Sequence, residues 1–355
     1  MVVRILLIML LVPHAVADTF RVGLANIYFM SALFDNNLNA PIFNERVKNP
    51  PTEEIEAEFD RLSRQMLTRY LKFLQSDILV LCEVDSRPEM LEKYVSEDLD
   101  NRYTVIHNSP VVKDKKFYNT QQIAALVDKS KFLIRRYEAH LDSEVTPMNG
   151  RYPFPDYKTV MVDGKEKNIW WSRFPIEFDV ALKSDPTHWY KVIGTYPKSK
   201  FARSPEAARM ARISNRVQQE MIRERVEAVA SEFEDIIVLG DMNDSLGMDE
   251  VEKELNQDAL SVLYQGKHDP ILWNPVAYLP GQGTYIYQGV PETIDFIFVS
   301  HGLKSGKGTT RPKVWEYDSV FRFFLRETKR SNPDRLENRE LFVSDHGPVT
   351  IDIRH

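Results

Sequence analysis

The chain contains little cysteine: Cys82 is the single one among 355 residues. One thiol cannot form a disulfide within the chain, so stability must come from a hydrophobic core. The hydrophobic fraction of 43% is sufficient for such a core. Cys82 lies inside the apolar segment DILVLCEV, residues 77–84, and we expect it to be a small buried side chain without a nucleophilic role.

The sequence also lacks the usual signatures of zinc and P-loop sites. It contains no HExxH motif, no paired cysteines and no Walker-type glycine loop. Positive charge is not in excess either, because the net charge is −6. This balance argues against a protein that coats nucleic acid non-specifically. It leaves open an enzyme that acts on phosphates, since a bound divalent cation reverses the field locally.

The first 17 residues have the layout of a cleavable secretory signal. Arg4 precedes the apolar run Ile5 to Val12, and Ala15-Val16-Ala17 stands before Asp18. We therefore expect cleavage after Ala17, a secreted or periplasmic protein, and a single domain over residues 18–355.

Strand-like and helix-like segments alternate along the remaining chain. A helix is predicted from Thr52 to Gln75, and a second from the cap Ser204 to about Ser231, with Pro205 at its first position. The order predicts an α/β domain with two mixed sheets in the middle and helices outside. The predicted strands are 20–29, 77–84, 103–108, 122–128, 176–182, 189–196, 235–240, 293–299 and 341–353.

Polar side chains stand at the ends of five predicted strands. The segment IIVLGDMNDS, residues 236–245, shows the pattern: a buried strand, then Gly240, Asp241 and Asn243. Gly240 allows a sharp exit or a close backbone approach. Such a segment alone is typical of a surface turn, but five of them predict a shared site. Its oxygens would suit Mg²⁺, and its histidine would suit proton transfer. The strand-end residues are Asn26, Glu83, Asp241 with Asn243, Asp295, and Asp345 with His346.

Six segments resemble, in order, the motifs of the endonuclease/exonuclease/phosphatase superfamily, of the deoxyribonuclease-I-like type. They are ANI (25–27), LVLCEV (79–84), VIGTYPKSK (192–200), VLGDMND (238–244), TIDFIF (293–298) and VSDHGPV (343–349). The resemblance extends from about residue 20 to the C-terminus. It implies a four-layer α/β sandwich in which two mixed β-sheets pack face to face with helices outside.

The resemblance also implies a metal site. Glu83 would be the principal metal carboxylate, Asn26 would lie beside it, and Asp345 would complete the shell. The implied cofactor is Mg²⁺, with Mn²⁺ or Ca²⁺ as alternatives.

The same resemblance assigns roles around the scissile phosphate. Asp241 and Asn243 would position or deprotonate the attacking water and hold the phosphate. Asp295 would orient His346, which would contact the phosphate, and such a pairing fixes the imidazole tautomer.

Tyr196 is the main departure from the family pattern, because deoxyribonuclease-I-like members usually have histidine there. A tyrosine hydroxyl, with a pKa near 10, suits hydrogen-bond donation to a phosphate oxygen better than acid catalysis. Tyrosine at this place resembles the abasic-site endonuclease branch. That branch also has an aspartate two residues after the first-strand asparagine, where this chain has Tyr28.

The segment that follows Tyr196 is basic and predicts phosphate contacts. Lys198, Lys200 and Arg203 are the candidates for substrate binding, although a charge run of this kind is also typical of a solvated face. Trp170 and Trp171 follow a proline-rich stretch; they are candidates for stacking on bases or for packing in the core.

Together these features predict a secreted, divalent-metal-dependent phosphodiesterase that acts as an endonuclease on nucleic acid. One alternative is a phosphoesterase for a phospholipid head group or an inositol phosphate, for which the segment VFRFFL, residues 320–325, would be an apolar contact. Another is a catalytically silent binding module of the same fold. No obligate protein partner is evident, and we expect a monomer.

Overall fold

The computed structural model describes residues 18–27, 53–85, 87–107, 121–135, 154–264, 272–274, 283–287, 290–303, 309, 313–314, 344 and 346–355. The helices are α1 (Glu53–Leu74), α2 (Pro88–Asp98), α3 (Pro205–Val229), α4 (Glu250–Leu255) and α5 (Ser261–Tyr264). The strands are β1 (Thr19–Asn26), β2 (Ile78–Val84), β3 (Tyr103–His107), β4 (Gln122–Asp128), β5 (Phe132–Arg135), β6 (Tyr157–Val162), β7 (Lys165–Trp170), β8 (Ile176–Leu182), β9 (Tyr190–Thr195), β10 (Asp235–Asp241), β11 (Leu272–Trp273), β12 (Tyr285–Tyr287), β13 (Val290–Glu292), β14 (Asp295–Ser300), β15 (Lys313–Val314) and β16 (Val349–Arg354).

Two mixed sheets form the centre of the described structure. Sheet A has the strand order β15-β16-β1-β2-β4-β3, and sheet B has the order β11-β14-β10-β9-β8-β5. Each sheet has one parallel pair in its middle, β1 with β2 and β9 with β10, and its other neighbours are antiparallel. The central strands of the two sheets pack against each other. This confirms the predicted sandwich of two mixed sheets.

The alternation of side chains along β2 shows how the layers are assembled. Ile78, Val80 and Cys82 belong to the core between the sheets, whereas Leu79 and Leu81 face the helices. Cys82 is fully buried, and burial raises the pKa of its thiol well above the usual range, as expected for an inert side chain. The helix face against sheet A consists of Met66, Leu67, Tyr70, Leu71 and Leu74 of α1, with α2 beside it.

Helix α3 covers sheet B and begins where the sequence predicts. The Ser204 hydroxyl accepts a hydrogen bond from the Ala207 backbone N–H at 3.3 Å, and Pro205 occupies the first turn. The helix ends at Val229, slightly before the predicted end. Within the described residues, no helix combines the length and the apolar character needed to cross a membrane.

The hairpin of β6 and β7 begins within the segment from 143 to 168, which reads as a proline-rich loop in the sequence, and extends to Trp170. Its turn is Asp163-Gly164, and both residues have positive φ, +51° and +75°. Asp-Gly is the strongest short signal for a hairpin, and it stands in the sequence. The signal segment, Tyr28 and the segment 320–325 lie outside the described residues.

Gly240 provides a test of the central sheet. It pairs with Thr195 of β9, and a Cβ at position 240 would lie 1.7 Å from the Thr195 carbonyl oxygen. We expect Gly240→Ala to lower the free energy of unfolding by about 3 kcal/mol, because the backbones must separate. Gly247→Ala is the control: its Cβ would meet nothing within 4 Å, but φ is +89°. It should cost roughly 1–2 kcal/mol of strain. Equal losses of unfolding free energy in urea titrations of the two variants would contradict the steric crowding at Gly240.

Candidate active site

The polar strand ends of both sheets converge at one end of the sandwich. Asn26 ends β1, Glu83 lies near the end of β2, and Asp241 ends β10. The Asn26 side-chain amide donates to Glu83 Oε1 and to Asp241 Oδ2, at 3.3 Å in each case. One buried carboxamide therefore connects the carboxylate of sheet A with that of sheet B.

A β-bulge turns Glu83 toward sheet B. By simple alternation, position 83 would face the helices as Leu79 and Leu81 do. The pairing of β2 with β4 shifts between Cys82 and Val84, and Glu83 has a φ of +65°. Val84 then packs with the helix-facing residues instead. The bulge thus delivers a charged side chain to the space between the sheets, at a strain of roughly 1–3 kcal/mol.

Two further carboxylates face each other on sheet B. Asp241 and Asp295 are direct cross-strand partners of β10 and β14, and both are buried. Like charges in this position repel each other. Burial and the facing Asp295 raise the pKa of Asp241 to about 7. This cluster stores unfavourable electrostatic energy that a cation would relieve.

His346 lies beside Asp295, as the resemblance implies. Its Nδ1 is 2.7 Å from Asp295 Oδ2, and acceptor atoms of Asp241, Asp295 and His346 all lie within 4.8 Å of one another. Since Nδ1–H donates to the carboxylate, any proton transfer or phosphate contact falls to Nε2. The β12–β13 hairpin holds this unit: Gly347 N–H donates to the Thr284 carbonyl at 2.5 Å, and the Tyr285 ring lies 4.8 Å from the imidazole.

Asn243 combines a turn with a place beside the site. Its φ is +51°, its N–H donates to Asp241 Oδ1 at 2.9 Å, and its side-chain amide donates to the Pro197 carbonyl at 3.2 Å. Both interpretations of the segment 236–245 therefore apply: the chain turns, and Asp241 points into the shared space.

Tyr196 is placed differently from the expectation that it contacts phosphate. Its hydroxyl donates to Glu83 Oε1 at 2.7 Å, and burial raises its pKa well above 10. The Arg173 guanidinium lies 3.9 Å from the Tyr196 ring centroid and donates to the Pro197 carbonyl at 3.4 Å. Tyr196 thus orients Glu83, and Arg173, which has no motif to mark it, holds Tyr196 in place.

The three basic candidates separate in the structure. Lys198 and Arg203 are exposed. The Lys200 ammonium instead turns away to contact Asp244, Glu252 at 2.9 Å and Asp249 at 3.6 Å. Burial disfavours the charged amine, but Asp244 and Glu252 outweigh it and raise the pKa of Lys200. Lys200 is therefore corrected from a phosphate contact to a structural ion pair.

The donor set fits a hard divalent cation. Glu83, Asp241 and Asp295 bring three buried carboxylates together, with the Asn26 carboxamide between two of them. In the part of the chain that the structure describes, Asp295 Oδ1 has no hydrogen-bond partner, and neither Asp241 nor Asp295 pairs with lysine or arginine. The resemblance places the cation on the Glu83 and Asn26 side, and this assignment stays a prediction. Asp345, the third predicted ligand, lies outside the described residues.

The chain belongs to the endonuclease/exonuclease/phosphatase family, whose model matches residues 55–346. It is accordingly a phosphoric ester hydrolase that depends on a divalent metal. No curated protein matches the chain.

Solved structures share the fold at low sequence identity. An endonuclease/exonuclease/phosphatase family protein from Bacteroides thetaiotaomicron is 12% identical, with a TM-score of 0.51 over 95% of this chain and 98% of that one. The endonuclease/exonuclease/phosphatase from Bacteroides vulgatus is 13% identical, with a TM-score of 0.50 over 95% and 99%. The human Nocturnin catalytic domain with bound sulfate is 15% identical, with a TM-score of 0.49 over 94% of each chain.

Replacement of Lys200 and of Lys198 should have different effects on stability. Lys200→Met leaves buried carboxylates unpaired, so we expect a loss of about 3–5 kcal/mol in the free energy of unfolding. Lys198→Met removes an exposed side chain and should change stability by less than about 0.5 kcal/mol. Urea titrations of both variants check this. Comparable losses would contradict the assignment of Lys200 to the ion pair.

Removal of the Tyr196 hydroxyl should weaken metal binding. Tyr196→Phe deletes the donor that orients Glu83, and we expect a metal affinity about tenfold lower, as for other supporting groups around metal ligands. Calorimetric titration with Mg²⁺ measures this directly. Tyr190→Phe, which loses a hydroxyl bonded to His355 Nδ1 at 2.8 Å, is the matched control and should bind as the wild type does. Unaltered affinity in Tyr196→Phe would refute the orienting role.

Proposed function

We propose that the protein is a secreted or periplasmic phosphodiesterase that uses Mg²⁺ and acts as an endonuclease on nucleic acid. The observation that carries the proposal is that two pairs of residues meet between the sheets: Asn26 with Glu83, and Asp295 with His346. Asn26 and Glu83 can hold a cation, and Asp295 supports the imidazole of His346. A cation beside an oriented imidazole is suited to a phosphate, whose oxygens gain charge during displacement.

The two pairs would support different parts of the hydrolysis. When bound, the cation would neutralise charge on the phosphate oxygens. His346, stabilised as imidazolium by Asp295, would donate from Nε2 to a phosphate oxygen. Asp241 accepts a hydrogen bond from the Asn26 amide between the two sheets, and its carboxylate is suited to accept a proton from the attacking water. Asn243 fixes Asp241 through its backbone N–H.

The surface beside the site supports a polyanionic substrate. Lys198 and Arg203 are exposed on the loop that leaves the site strand β9. An exported location is proposed from the signal-like residues 1–17.

A second candidate is a phosphoesterase for a phospholipid head group or an inositol phosphate. Leu246 and Met248 follow the Asn243 turn and are 43% and 38% exposed. Exposed apolar side chains beside a phosphate site are typical of contact with a lipid surface.

A substrate panel tests the proposal. The mature protein is incubated with single-stranded DNA, duplex DNA, RNA, phospholipid and inositol phosphate, with Mg²⁺, Mn²⁺ or Ca²⁺ and with EDTA. We expect metal-dependent internal cleavage of a nucleic acid. Glu83→Gln should lower this rate by about 10²–10³-fold or more, because it removes the charge that holds the cation.

Glu206→Gln is the control, since this exposed carboxylate lies in the first turn of α3. It should cut as the wild type does. Near wild-type activity in Glu83→Gln would refute the metal assignment. Cleavage of phospholipid or inositol phosphate without nucleic acid would establish the second candidate instead.

A further inference from the structure

Two exposed aromatic rings contact each other on the β6–β7 hairpin, with their planes tilted by 45°. Trp170 is 49% exposed and Tyr157, its cross-strand partner, is 40% exposed, with the ring centroids 4.6 Å apart. The neighbouring Trp171 is different, because it is buried and its indole N–H donates to the Pro155 carbonyl at 2.8 Å. Core packing therefore explains Trp171, whereas the Trp170 ring packs on Tyr157 and about half of it stays open to solvent.

A single buried side chain links the Trp170 backbone to the loop that leaves β9. The Gln218 amide donates to the Trp170 carbonyl at 2.6 Å, and its oxygen accepts the Lys198 N–H at 2.7 Å. Lys198 follows Tyr196 by two residues, and Tyr196 contacts Glu83. The hairpin end and the loop leaving β9 are thus joined through one carboxamide.

The loop that leaves β9 carries exposed basic and aromatic side chains. Lys198 and Arg203 are exposed, and within the described residues neither forms an ion pair. Phe201 lies between them and is 71% exposed. The adjacent Lys200 is anchored to Asp244, which fixes the loop below these side chains. Lys198, Phe201 and Arg203 therefore lie on a loop whose backbone is held in place.

We propose that Trp170, Tyr157, Phe201, Lys198 and Arg203 form an aromatic–basic track that binds single-stranded nucleic acid next to the active site. This rests on the proposed function and adds the form of the substrate to it. Bases stack on exposed rings while lysine and arginine contact phosphates, as in other proteins that bind single strands. A duplex keeps its bases stacked inside and cannot offer them to these rings.

Binding of an oligonucleotide tests the track without turnover. The Glu83→Gln protein in EDTA is titrated into a fluorescent single-stranded oligonucleotide and into the duplex of the same length. We expect the single strand to bind more tightly than the duplex. Adding Trp170→Ala should raise the Kd for the single strand about 5- to 150-fold, the range for loss of one stacked base. Trp170→Phe, which keeps a ring, should restore most of the affinity.

Phe73→Ala is the matched control, because Phe73 is 45% exposed on α1 near the opposite end of the sandwich. It should leave the Kd unchanged. Lys198→Met should make the dependence of log K on log salt shallower by about 0.7, the value for one phosphate contact to a single strand. Thermal melting of each variant shows whether it is folded.

The outcomes separate the track from the catalytic proposal. Wild-type affinity in Trp170→Ala, or equal affinity for duplex and single strand, overturns the track even if the wild type cuts nucleic acid. A larger Kd in Trp170→Ala that Trp170→Phe restores supports the track. A wild type that cuts only lipid or inositol esters, and binds no oligonucleotide, overturns both proposals.

Discussion

Glu83, Asp241 and Asp295 are buried together between two sheets whose facing side chains are largely apolar. Three carboxylates in such a space are unfavourable unless charge or protons compensate, and the raised pKa of Asp241 shows the strain of this arrangement. Hydrogen bonds from neighbouring side chains partly offset this unfavourable burial. The Asn26 amide donates to two of the carboxylates, and the third is bonded to His346. The same arrangement creates affinity for a divalent cation, so electrostatic instability and function have one origin.

Backbone irregularity is concentrated where this cluster forms. Glu83 and Asn243 both have positive φ without being glycine, and Gly240 allows β10 to approach β9 where a Cβ would collide. These features weaken a regular sheet, but they direct side chains from two separate sheets into one volume. The sandwich tolerates them because the neighbouring strands β4, β9 and β14 are buried along their whole length. Precision at the site is therefore obtained at the expense of local stability.

The sequence is sufficient for the central strands of both sheets and for the two long helices, because these depend on local periodicity and on motifs in fixed order, but it does not predict β5, β11 or β15. It is insufficient for the directions of side chains. Nothing local to Lys200 shows that it meets Asp244 and Glu252, about 50 residues away. The contact of Tyr196 with Glu83 depends on a bulge that the letters LCEV do not reveal. Arg173 is likewise recognised only from its position over Tyr196. The Asp163-Gly164 turn, in contrast, is recognisable in the sequence as an Asp-Gly pair.

The pairing of β1 with β16 has a consequence for biosynthesis. Thr19 pairs with Arg354, so the first strand of sheet A receives one of its neighbours only after the ribosome has made residues 349–354. Asn26 and Glu83 are made well before His346. Until His346 is made, a nascent chain lacks the imidazole of the candidate site. Until β16 arrives, one edge of β1 also stays unpaired, and such edges recruit other strands. Chaperone protection of the growing chain would matter most during this interval.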